Sequence, residues 1–173
     1  AVVDAAKRSH QAPLDLLTAA GAIDSPYQFH WRRFLYENFP KGTAFPPLQA
    51  PAIKEDLPLA AVQAFSIDDS ATTEIDDALS VRGLGSGTVV FGVHIAAPAL
   101  AIAPDSPIDR VARDRLSTVY MPGWKLTMLP DEVVQAYTLM AGRACPAVSL
   151  YVTLDEATLE VRGSETRLEQ VPI

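Results

Sequence analysis

The run Ala64-Phe65-Ser66-Ile67-Asp68-Asp69-Ser70-Ala71-Thr72-Thr73-Glu74-Ile75-Asp76-Asp77-Ala78-Leu79-Ser80-Val81 sets five carboxylates between two apolar segments. Residues 62–67 and 78–84 have the aliphatic, aromatic and β-branched content of strands. The acids are therefore expected between strands, not along an exposed helix face. Like charges packed this closely repel and raise one another's pKa. The whole chain has 21 acids against 14 Lys and Arg, a net charge of −7. Residues 55–81 hold seven of those acids (Glu55, Asp56, Asp68, Asp69, Glu74, Asp76, Asp77) and no Lys or Arg, so the rest of the chain is neutral. A hard divalent cation would compensate the cluster, because Mg²⁺ and Ca²⁺ take carboxylate oxygens. Two such ions on a phosphate would stabilise both oxygens of an in-line displacement. A solvated acidic loop explains the same charges. An EF-hand calcium loop does not: counted from Asp68, Thr73 stands where Gly is needed and Leu79 where a bidentate Glu is needed.

Outward from this run, residues 88–95 read as a further strand, joined to 78–84 by the turn Gly85-Ser86-Gly87. Ser106-Pro107-Ile108-Asp109 opens a helix with Ile108, Val111, Ala112 and Leu116 on one face. Pro130-Asp131-Glu132 opens another, extending to Met140, and residues 147–154 and 158–162 suggest a hairpin. Towards the amino terminus, residues 1–20 read as a helix ended by Gly21. Asp24-Ser25-Pro26 starts a second one, in which Tyr27, Trp31, Phe34 and Leu35 recur at helical spacing until Pro40. Four prolines between Gly42 and Pro58 give an extended connection. The expectation is an α+β chain: a helical region and Pro-rich connection over residues 1–57, then a domain over 58–173 with a mixed or largely antiparallel sheet and flanking helices.

Composition narrows the function. A hydrophobic share of 49% supports a packed core in 173 residues. The negative balance argues against a simple basic nucleic-acid binder. The longest apolar stretch, 89–103, contains Gly92, His94 and Pro98 and is too short and interrupted to span a bilayer. The chain opens on Ala1-Val2-Val3-Asp4 without a charged-then-apolar leader, so no signal peptide is expected. Cys145 is the single cysteine, which excludes an internal disulfide and a Cys-based metal site and fits a cytoplasmic location.

The blocks Ile67-Asp68-Asp69-Ser70, Glu74-Ile75-Asp76-Asp77-Ala78-Leu79-Ser80, Gly92-Val93-His94-Ile95-Ala96, and the stretch from Arg115 through Tyr120-Met121-Pro122 to Met128-Leu129-Pro130, resemble the signature of the ribonuclease II/R (RNB) family in order and spacing. The resemblance covers residues 59–161. It implies a partial RNB catalytic domain from an exoribonuclease, a hydrolase that degrades single-stranded RNA 3′ to 5′ to nucleoside 5′-monophosphates with Mg²⁺, or Mn²⁺ in its place. Carried over position by position, it implies metal ligation by Asp68, Glu74, Asp76 and Asp77, with Asp76 the position most tied to catalysis; Arg115 and Tyr120, by their charge and ring, are the candidate RNA contacts. Two positions depart from the family: Glu74, usually Asp, reaches one methylene further, and Ala97 stands where many members have Asp. The family's catalytic domain is about twice this length and is flanked by OB-fold RNA-binding domains. The chain therefore corresponds to the amino-terminal half of that domain and is expected to be inactive alone. The alternative is a catalytically inactive RNA-binding or regulatory fragment.

Other residues have simpler explanations. His94 sits mid-strand among apolar neighbours, as a hydrogen-bonded core histidine does. Arg110, Arg113 and Arg115 make one helix cationic, which suits phosphate, the acidic run or solvent. Tyr120 and Trp124 suit base stacking or core packing. Gly83-Leu84-Gly85-Ser86-Gly87 is no dinucleotide motif, because the strand before it does not lead into a helix.

Overall fold

The acidic run ends where a sheet begins: strand β1 (Asp77–Arg82) starts on its last carboxylate. In the computed structural model, which describes residues 1–47, 52–53 and 56–173, β1 pairs with β2 (Thr88–Ala96), β2 with β5 (Ala144–Asp155) and β5 with β6 (Val161–Pro172), every pair antiparallel. The sheet order is β1-β2-β5-β6. Between β2 and β5 run a 3₁₀ turn (Pro98–Leu100), helix α4 (Pro107–Arg115), a small hairpin of β3 (Val119–Met121) and β4 (Trp124–Leu126), and helix α5 (Asp131–Tyr137). The α+β class with an antiparallel sheet is thus the one expected.

Contacts divide the chain into two compact units, Ala1–Ala44 and Phe45–Ile173. The first holds α1 (Val2–Ser9), α2 (Pro13–Ala19) and α3 (Pro26–Asn38). The single helix expected over 1–20 is two helices. Pro13 has no N–H to give a preceding turn and forces Ala12 into extended backbone, so α1 stops at His10 in the left-handed region. Helix α3 starts as its sequence dictates, with the Ser25 hydroxyl accepting the Gln28 N–H at 3.2 Å. Part of the expected Pro-rich connection, residues 48–51 and 54–55, lies outside the described residues.

Two further differences concern the second unit. Residues 62–67 do not form a strand. Their backbone crosses between the two edges of the sheet: Ala60 and Ala64 donate to the carbonyls of Gln170 and Pro172 on β6, and Phe65 exchanges two bonds with Leu79 on β1. A segment that serves two edge strands in turn cannot ladder with either. The β3–β4 hairpin was not expected. Its turn is Pro122-Gly123, a pair suited to the two central positions of a type II turn, and Gly123 takes the required positive φ of 74°.

Alternation sorts the sheet into two faces. Ala78 and Ser80 on β1, His94 on β2, Ala147, Ser149 and Tyr151 on β5, and Glu169 and Val171 on β6 are buried together. Leu139 and Cys145 join the alanines and Val171 in one apolar cluster. Ile108 of α4 packs with Leu129 and with Val133, Val134 and Tyr137 of α5 in another. Leu116, expected on the buried face of α4, is exposed, because the helix ends at Arg115 and Leu116 turns to a φ of 65°.

His94 is the core histidine its neighbours suggested. It is fully buried, with Nδ1 2.8 Å from the Ser149 hydroxyl and Nε2 2.9 Å from the Ser80 hydroxyl, so it ties β1, β2 and β5. Gly92, paired with Ser80 across the ladder, leaves room for that bond: a Cβ there would stand 2.4 Å from Ser80 Oγ. The Tyr151 phenol donates to buried Glu169 at 2.5 Å, and burial, then this carboxylate, push the phenol up to about 12.

Candidate metal and RNA site

The backbone of the acidic run is pinned from two sides. The hydroxyl of Thr138, at the end of α5, accepts the Ile75 N–H at 2.7 Å, and Leu139 N–H donates to the Ile75 carbonyl at 2.9 Å. One residue on, the Asp76 carbonyl accepts the Ala96 N–H at 2.8 Å at the end of β2, and Asp77 enters β1 opposite Ile95. Glu74, Asp76 and Asp77 therefore follow one another on backbone fixed by α5 and the sheet. Asp69 uses its carboxylate locally, accepting the Ala71 N–H at 3.0 Å, which folds residues 69–72 into a turn.

The four expected ligands share a neighbourhood. Surrounding protein atoms, then the charges of Asp77 and Asp68, push the Asp76 carboxyl above the usual carboxylate range, although its surface remains exposed. Glu74 lines a crevice with Asp76, and with Asp68 it lines an open cavity of about 440 Å³ shared by Tyr120 and Lys125. Among the described residues, no hydrogen bond or ion pair reaches the carboxylates of Asp68, Asp76 or Asp77. Glu74 differs: the Thr118 hydroxyl stands 3.4 Å from each of its oxygens and the Lys125 ammonium 3.7 Å from one. Among the described residues, no three His, Cys, Asp or Glu side chains are arranged to hold one metal ion.

The two expected RNA contacts sit differently. Tyr120, on β3, is exposed at the rim of the large cavity, and its phenol is pushed up by surrounding atoms, then by Glu74 and Asp76. Arg115 donates to the Thr127 carbonyl at 2.7 Å and lies over the Phe45 ring, 3.7 Å from its centre; burial lowers its pKa. Ala97 is buried, its N–H donating to Pro146 at 3.3 Å, so a methyl group occupies the position where the family's usual residue is acidic.

Thr118, Lys125 and Thr138 were missed by sequence reasoning. Each is a single hydroxyl or amine more than forty residues from the position it serves, Ile75 for Thr138 and Glu74 for the other two. The one available signal was Lys125 beside Trp124 after an otherwise apolar stretch, and that gave no partner. Among the described residues, no helix is long and apolar enough to cross a membrane.

Comparison with known proteins shows the family and the fold. The RNB domain family matches residues 57–168. Exoribonuclease 2 of Edwardsiella piscicida is 34% identical over 125 residues, 72% of this chain and 19% of that relative. A yeast pseudonuclease superposes with a TM-score of 0.61 at 27% identity, over 73% of this chain and 16% of its own. Mycoplasma genitalium RNase R, solved with ribose-methylated single-stranded RNA, gives a TM-score of 0.61 at 21% identity, over 67% and 18%. The chain thus spans less than a fifth of the length of each of these proteins.

Proposed function

Since the chain belongs to the RNB-domain family, whose relatives include exoribonucleases, we propose that it is the metal-binding part of a catalytic domain that hydrolyses single-stranded RNA from the 3′ end to nucleoside 5′-monophosphates. The observation that carries this is the Asp68, Asp76 and Asp77 set: carboxylates close enough for Asp76 to feel both neighbours, with no cation partner among the described residues. Oxygen donors alone suit Mg²⁺, or Mn²⁺ in its place, more than a thiol-seeking metal. Asp68, Asp76 and Asp77, with Glu74, would hold it. When bound, such an ion polarises a phosphoryl oxygen and lowers the pKa of water. Asp76, pushed up by its surroundings and by the charges of Asp77 and Asp68, gains from charge compensation. Ala96 holds the Asp76 backbone and Thr138 that of Ile75 beside it, so the main chain under the carboxylate is in place before substrate arrives. Tyr120, exposed at the cavity rim, offers a face for a base. Arg115, held by Thr127 and Phe45, offers charge at one remove.

Two observations favour a second reading, an RNA-binding unit without turnover. The likeness to the yeast pseudonuclease is at 27% identity, and Glu74 is already paired with Lys125. A chimaera separates the two. Residues 57–168 would replace the matching segment of the Edwardsiella exoribonuclease, and end-labelled single-stranded RNA would be followed for mononucleotide release with Mg²⁺. Release that Asp76→Asn abolishes supports the nuclease. A folded chimaera that binds RNA and releases nothing supports the second reading.

A further inference from the structure

Glu74 is the most enclosed of the four acids, its side chain 13% exposed, and the one that already has company. The Thr118 hydroxyl accepts the Met128 N–H at 3.2 Å, which leaves its own hydrogen for the Glu74 carboxylate. Lys125 donates to the Thr73 hydroxyl at 2.9 Å, and that bond fixes its ammonium 3.7 Å from Glu74 Oε2. Thr118 and Lys125 sit on and beside the β3–β4 hairpin, so two groups from one element converge on one carboxylate. Among the described residues, Lys125 is the only cation ion-paired with the acidic run.

We infer that Lys125 is a built-in counter-cation of the acidic run, which occupies Glu74 in the metal-free chain and sets divalent-ion affinity by competing for that carboxylate. The inference rests on the metal reading given above and makes Lys125 a positioning residue for that site. Its logic is charge balance. An ammonium within ion-pair distance already satisfies part of the field that would draw in a metal. Any ion ligated by Glu74 must either displace the ammonium or sit against it, and both lower affinity. The longer reach of Glu74 belongs to the same arrangement, since a carboxylate one methylene shorter would withdraw from the hairpin. With the Lys125 side chain 34% exposed, solvent screens the competition, so its removal should tighten metal binding by about five- to tenfold, not by orders of magnitude.

The test is Mn²⁺ titration by calorimetry of the wild-type protein, Lys125→Met, Lys125→Arg and Asp76→Asn, each checked for folding by circular dichroism. Lys125→Met should bind Mn²⁺ about five- to tenfold tighter than wild type. Lys125→Arg keeps the charge and should restore wild-type affinity to within about twofold. Equal or weaker binding by Lys125→Met, with wild-type binding intact and abolished by Asp76→Asn, overturns the inference and leaves the metal reading standing. No Mn²⁺ binding by wild type or Lys125→Met overturns both.

Discussion

Adding one methyl group at Gly92 tests how the sheet holds the acidic run in place. The new Cβ would stand 2.4 Å from Ser80 Oγ and 2.9 Å from His94 Nε2. Those two side chains are 2% and 0% exposed and are bonded to each other at 2.9 Å, so neither can escape to solvent. Forcing a methylene-sized group into such packing costs about 1–3 kcal/mol. Ser80 must rotate away, and the buried imidazole nitrogen it leaves unpaired costs about 1–3 kcal/mol more. Gly92→Ala should therefore lose about 2–6 kcal/mol, a large share of the roughly 5–15 kcal/mol that holds a domain folded. Urea unfolding followed by circular dichroism measures it, on Gly92→Ala, Ser80→Ala and the double variant. The double variant should lose at least about 1 kcal/mol less than the sum, because the clashing atom and the lost bond are the same hydroxyl. A loss below about 1 kcal/mol for Gly92→Ala, at unchanged denaturant sensitivity, would refute the packing described around His94.

Metal should stabilise the fold by about 2.7 kcal/mol at a hundredfold excess over its dissociation constant. Asp76→Asn should shrink that gain, and in chelator it should melt higher than wild type, since it removes a charge repelled by Asp77 and Asp68; identical melts with and without Mg²⁺ count against a metal site. Burial holds His94 below its ordinary pKa of 6.5, against a smaller opposing effect of Glu169. The unfolded chain then binds the extra proton first, so this contribution to stability is present above about pH 6.5 and is lost as pH falls from there through the lower pKa of the folded state. His94→Gln should flatten the dependence between neutral and mildly acid pH in denaturant titrations; an unchanged slope assigns it to other groups. The 173 residues alone, given labelled single-stranded RNA and Mg²⁺, should release no nucleotides, because −7 of net charge repels a polyanion and the chain offers few cations near the acids. Robust release would overturn that expectation.

The strands β1 and β2, the capped starts of α3 and α4, and the core role of His94 were legible because each rests on local rules: alternation, a serine before a proline, a lone imidazole among aliphatics. The break after His10 was legible in Pro13 but was outweighed by helical spacing on both sides. Residues 62–67 misled because their residue content is that of a strand, yet their hydrogen bonds go to two strands in succession. The end of β6 at Pro172 was hidden by a polar stretch, Arg162 to Gln170, in which only Glu169 is deeply buried, with Val171 just beyond it. At the site, the acids announced themselves through their charge and through the resemblance to the RNB signature. What holds them did not: Thr138 reaches Ile75 across 63 residues and Thr118 reaches Glu74 across 44. Single polar side chains leave no periodic trace, and only the fold pairs them.

The crossing segment also dictates an order of assembly. Leu59 and Ala64 meet β6 through Gln170 and Pro172, residues a ribosome adds more than a hundred positions later. Until then the residues leading into the acidic run have one anchor, at Leu79, and lack the other. Pairings separated this far along a chain close late, after loop entropy has been overcome. The backbone entering Asp68 is thus among the last parts to settle, and the acidic run is held at both anchors only after β6 has been made and paired.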